Sequence, residues 1–405
     1  MGLQECLARI DARDAAVHGW SHLDRAAQGG AGPLAGTVLG VKDVINVAGM
    51  PTTHGSTIFA GNIAHHDAAA VARLRAAGVI VLGKTVTAEF ATYSPGPTVN
   101  PCKAGHTPGG SSSGSAAVVA DRQADIALGT QTAGSIIRPG SFCGTLAFKP
   151  SFGRYPLGGV LETASSLDTL GLFARNMELL TRADSVLADD AHSCSPRAVL
   201  RIGVCRTPIW DQAGGEMQHA LLAFAEQLRK AGHIVSDVDL RPEFDGLTAA
   251  QTLIHRYEAA RTLGHIRNTH PDKVSDAFRT MIDSGAADIE VDYQQCRALQ
   301  NECIALLPEV FDAVDLLLAP AAPGTAPEGL TATGDPVFQR MWTALGTPCL
   351  GFPVEWRSDG LPLGLQLIAM REHDRQLLAD AATIRAPQAA VVRYYQYPFA
   401  DWGHG

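Results

Sequence analysis

A helix that stops at a glycine and runs straight into an apolar strand constrains this chain more than any other feature. His66–Ala77 has helical apolar spacing, Gly78 ends it, and Val79–Leu82 follows as a buried-strand run. The alternation recurs along the chain. Residues 3–17 read as a helix, and Thr37–Val41 as a short strand that ends at Lys42. Ile126–Gly129 is a further apolar strand. Leu200–Cys205, Glu216–Ala231 and His233–Leu240 read as strand, helix and strand, and helical patterns fill roughly 247–310. Val314–Ala319 and Leu363–Ala369 are the last strands, with helix Asp374–Thr383 behind them. Strands alternating with helices predict the α/β class: one large domain with a central mixed, twisted β-sheet covered by helices on both faces.

Composition narrows the partners. The chain has 405 residues and a formal net charge of −9, with no basic run, so nucleic acid and anionic membrane surfaces are excluded as expected partners. Eight cysteines are scattered without a C-x-x-C pair, which reads as buried thiols in a reducing compartment. The opening residues are an acidic amphipathic pattern without an apolar signal region, and no run of apolar residues is long enough to span a membrane. A cytoplasmic protein is the expectation.

Two segments carry candidate chemistry: Gly109-Gly110-Ser111-Ser112-Ser113-Gly114-Ser115, inside a Gly/Pro/Ser-rich loop over 95–115, and Gly129-Thr130-Gln131-Thr132-Ala133-Gly134-Ser135-Ile136-Ile137-Arg138-Pro139. Gly/Ser loops are usually only flexible connections. A phosphate loop would need Lys after its last Gly, and a G-x-S-x-G elbow would need Gly at Ile137, so neither fits. What remains is a glycine-flanked serine between a strand and a helix start, where backbone N–H groups suit an oxyanion. Such a serine needs a base. None of the 14 histidines lies in a segment with a catalytic pattern; His54 and His106 are loop residues, and His65-His66-Asp67 reads as a solvated cap. Lys42 ends an apolar run, so it is either a desolvated base or one half of a salt bridge with Asp43 or a neighbour.

GVKDVINVAGMPTTHGS, GGSSSGSAAVVA, GTQTAGSIIRP and GTLAFKPSFGR together resemble the amidase signature family, and most closely its malonamidase-like members. The resemblance runs from about Pro33 to Arg175 and resumes at Gly346–Ile368. The intervals agree as well, 69 residues from Lys42 to Ser111 and 24 from Ser111 to Ser135. With the strand and helix pattern, the single domain 1–405 reads as a signature core over about 33–175, an embedded βαβ and helical section over about 200–310, a return to the sheet over about 314–384, and an aromatic tail, 386–405. That tail matches no family motif and is expected to pack on its own domain or on the partner in a homodimer.

The resemblance implies roles residue by residue. Ser135 is the nucleophile that forms an acyl-enzyme, Ser111 relays a proton, and Lys42 is the base. Gly110–Ser111 is a cis peptide, and the N–H groups of Thr132, Ala133, Gly134 and Ser135 form the oxyanion hole. The substrate is a small amide with water as acyl acceptor; no metal and no cofactor enter. Gln131 and Ala133 depart from the Asp and Gly of most members. Arg138, three residues after the nucleophile, shares the malonamidase-like placement and is expected to bind a substrate carboxylate, with Thr130 helping; a structural salt bridge to Asp168 is the bland alternative. Two rival readings keep the fold. An amidotransferase subunit would release ammonia for a partner enzyme, against which chain length speaks, and a non-catalytic scaffold would not retain all three triad residues.

Overall fold

The computed structural model describes residues 2–190 and 192–384, so the expected packing of the tail 386–405 lies outside the described residues. Eleven strands form one sheet: β1 Trp20–Leu23, β2 Val38–Lys42, β3 Ile80–Thr85, β4 Ile126–Gln131, β5 Leu146–Lys149, β6 Thr169–Ala174, β7 Arg201–Cys205, β8 Ile234–Val238, β9 Leu316–Pro320, β10 Cys349–Trp356 and β11 Pro362–Ile368. Their order is β1-β3-β2-β4-β6-β5-β10-β11-β9-β7-β8. The sheet is mixed: β3-β2-β4 and β9-β7-β8 run parallel, and the pairings between β4 and β9 are antiparallel.

The helices are α1 Leu3–Val17, α2 Ala69–Ala76, α3 Ser113–Ala120, α4 Ile137–Cys143, α5 Met177–Ala188 and α6 Gly215–Lys230, then α7 Leu247–Thr269, α8 Asp276–Ala287, α9 Glu290–Val310, α10 Val337–Ala344 and α11 Asp374–Ala381. Period-two geometry explains why both faces are covered. On β4, Ile126 and Leu128 enter one apolar layer with Leu74 of α2 and Leu180 of α5, whereas Ala127 enters the other with Val118 of α3 and Trp342 of α10. All of β2, β3, β4, β5, β6 and β11 is buried. All eight cysteines are free, and no helix among the described residues is long and apolar enough to cross a membrane.

Two expected boundaries move. The helix expected from His66 starts at Ala69, because Asp67 turns its carboxylate to the Ala48 N–H and to Arg75. The loop expected through Ser115 ends sooner, since α3 begins at Ser113 and every residue of it is buried.

Candidate active site

Parallel neighbours β2 and β4 deliver the first two groups from their carboxyl ends, where α/β sheets gather ligands. Val41 pairs with Leu128, so Lys42 and Thr130 emerge side by side. Lys42 is fully buried, and its Nζ lies 2.8 Å from Ser111 Oγ and 2.7 Å from Thr130 Oγ1. It has no carboxylate partner among the described residues. Asp43 pairs instead with Lys84, Nζ to Oδ1 2.9 Å, which settles the salt-bridge alternative for Lys42. Burial therefore drives the Lys42 pKa well below that of a free lysine, and the charge of Asp168 only partly opposes it. Asp168 is itself pushed up to about 6 by burial, against hydrogen bonds from the Thr132 hydroxyl and the Thr163 and Ala164 N–H groups.

Each serine of the Gly/Ser run has a separate place. Ser111 faces the lysine, and the Gly110–Ser111 peptide is cis. Ser112 Oγ donates to Thr130 O at 3.2 Å, and Ser115 Oγ to Leu128 O at 2.8 Å, so the run is stitched along β4. Gly109, at φ +80°, makes the turn into it.

The second segment is held by Gln131, marked in the sequence only as a departure from Asp, and by Thr343 and Gln251, which sequence reading did not single out. Gln131 Oε1 accepts from the Ile136 and Ile137 N–H groups at 2.8 and 3.1 Å, closing the turn that leads into α4. Its Nε2 donates to Thr343 Oγ1, which donates to Ala133 O at 2.7 Å. Gln251 Nε2 donates to Thr132 O at 2.8 Å, and Arg138 N to Gly134 O at 3.1 Å. With three successive carbonyls held, the N–H groups of Ala133, Gly134 and Ser135 meet no acceptor among the described residues. Gly134 is needed for closeness: a Cβ there would sit 2.6 Å from Gln339 Oε1 and 2.8 Å from Pro336.

Ser135 lines a small pocket together with Thr132, Ala133, Arg138, His255 and Tyr93. Its hydroxyl bonds to nothing among the described residues, and no hydrogen bond joins it to Ser111; such contacts often tighten only when substrate packs the site. The helix starts at Ile137 rather than at Ser135, yet the Arg138-to-Gly134 bond is already of the i to i−4 kind, and Ser135 and Arg138 share the pocket.

Arg138 is 3% exposed. Its Nη2 donates to Gly110 O at 2.6 Å and to Thr333 Oγ1 at 3.1 Å, while Nε and Nη1 have no partner among the described residues. The expected bridge to Asp168 does not form; the oxygens of Asp168 are taken by the Thr132, Thr163 and Ala164 donors. Burial, then the Arg340 guanidinium, pushes Arg138 down to about 10, which leaves it charged at neutral pH. Thr130, expected beside a substrate carboxylate, instead has its hydroxyl on the Lys42 amine. The histidine reading also changes: His255, inside a long helix that carried no catalytic pattern, reaches the pocket.

Fold and site together define an enzyme that hydrolyses amide C–N bonds. The Amidase family model matches residues 6–378, and the chain belongs to that family, the amidase signature family. It is 33% identical to a Glutamyl-tRNA(Gln) amidotransferase subunit of Thermus thermophilus, over 87% of this chain and 86% of that protein. A crystallised amidase superposes with a TM-score of 0.86 at 30% identity, covering 95% of both chains. The peptide amidase of Stenotrophomonas maltophilia superposes at 0.77 and 27% identity, over 95% of this chain and 94% of that one. That relative is an amidotransferase subunit, so it lends no support to the malonamidase-like resemblance.

Proposed function

We propose that the protein hydrolyses a small amide bearing a carboxylate, in the malonamidase-like manner, through an acyl-enzyme on Ser135. Ser135 Oγ attacks the carbonyl carbon while its proton passes to Ser111, and the Ser111 proton passes to neutral Lys42. The Ala133, Gly134 and Ser135 N–H groups, with that of Thr132, receive the oxyanion. Lys42 returns the proton through Ser111 to the leaving nitrogen, and the C–N bond breaks with release of ammonia or an amine. Water then attacks the ester by the same path, giving the carboxylic acid and restoring Ser135. The lysine enters neutral and leaves neutral.

The observation that carries the substrate class is Arg138. A buried guanidinium without a carboxylate costs on the order of several kcal/mol, and two nitrogens of Arg138, which lines the pocket with Ser135, have no partner among the described residues. A planar carboxylate fits that fork. Arg138→Ala should lower kcat/KM on malonamate about thirtyfold more than on malonamide, matching the ~2 kcal/mol of a charge-assisted hydrogen bond. Equal losses would make Arg138 structural.

The amidotransferase relatives favour a second reading, in which the same triad frees ammonia from glutamine for a partner enzyme. Glutamine hydrolysis that appears only on adding a second subunit would select it; malonamate hydrolysis by the isolated chain selects the first.

A further inference from the structure

The pocket that holds Ser135 and Arg138 contains another unpartnered group. His255, on α7, is 4% exposed, and its Nε2 has no hydrogen-bond partner among the described residues. A buried polar nitrogen left alone is costly and calls for an explanation in what the site receives. The Tyr93 ring lies 6.3 Å away, centroid to centroid. Arg340, from α10, donates to Gln251 Oε1 at 2.7 Å and to the Tyr93 hydroxyl at 3.5 Å. Neither Arg138 nor Arg340 makes an ion pair with a carboxylate among the described residues; nearby Asp335 is exposed and accepts from the Val337 N–H. The pocket wall therefore offers an anion one guanidinium, that of Arg138, and one imidazole, with the Arg340 charge acting on both. Burial and the Arg340 charge hold His255 down to about 3, so its ring is neutral and carries one N–H.

We propose that His255 is a specificity-determining residue: its Nε2–H donates to the substrate carboxylate that Arg138 holds. The pocket then reads the carboxylate through one charged and one neutral donor. A carboxylate only accepts, so its arrival selects the tautomer with the proton on Nε2. The inference rests on the carboxylate reading above and deepens it. The bland account is that the ring fills space beside Tyr93.

Malonamate and malonamide separate the two. His255→Phe removes the donor and keeps the ring; His255→Leu gives the same readout where a phenyl ring does not fit, and His255→Gln restores a donor. The apolar variants should lose at least tenfold in kcat/KM on malonamate and less than threefold on malonamide, with His255→Gln recovering most of the malonamate loss. Equal losses on both substrates, or no loss, overturn the role of His255. If Arg138→Ala is still selective in that case, the carboxylate reading stands and only this inference falls. If Arg138→Ala is unselective, both fall.

Discussion

Lys42 shows how one residue acquires a function from its surroundings. A lysine in water stays protonated and cannot act as a base; sealed in the core and denied Asp43 by Lys84, Lys42 gives up its proton far more readily. In the proposed mechanism both proton transfers run through it, so Lys42→Ala should lower kcat by about 10³ or more, within the range typical of a general base. Ser111→Ala should be severe but smaller, since a water molecule fits where the hydroxyl was. Steady-state kinetics checks the order, and a Ser111→Ala enzyme slower than Lys42→Ala would contradict it. Ser111, Ser135, Lys42 and Arg138 were marked as candidates in the sequence, because the motifs fix their identity and interval. His255 was not. It sits mid-helix between Ile254 and Arg256, and only the packing of α7 brings it to the pocket.

At the scale of elements, the turn between β4 and α4 is shaped by one amide side chain. Gln131 spans it, accepting from two N–H groups and reaching Ala133 O through Thr343. The sequence marked position 131 only as a departure from Asp. Gln131→Ala leaves the Ile136 and Ile137 donors buried and unpaired, a loss of about 1–3 kcal/mol in stability. It should also lower kcat more than it raises KM, because the oxyanion donors shift while Arg138 remains. Chemical denaturation with parallel kinetics tests this; unchanged kcat in a destabilised enzyme would limit Gln131 to folding. Strands β5 and β6 escaped the sequence reading for a related reason. Both are short or glycine-containing and buried on both faces, so no alternation marks them. Helix α5 carried a legible signal, Asn176 capping the Leu179 N–H, that the pattern reading passed over.

For the whole molecule, alternation of strand and helix predicted the class and the two-faced sheet, since each unit must bury an apolar face. It could not supply strand order. The ends of β2 and β4 meet because β3-β2-β4 are adjacent, a long-range arrangement that no local pattern encodes. The family likewise follows from the whole chain, while the choice between a stand-alone hydrolase and an ammonia-releasing subunit turns on chemistry at one pocket. The central claim is that neutral Lys42 activates Ser135, and a fluorophosphonate probe tests it most directly. Intact-mass and peptide mapping should place a single adduct on Ser135, formed at a rate that rises with pH as Lys42 loses its proton and then levels. The adduct should vanish in Ser135→Ala and form far more slowly in Lys42→Ala. An adduct on another residue, or wild-type labelling in the Lys42→Ala protein, would contradict the account.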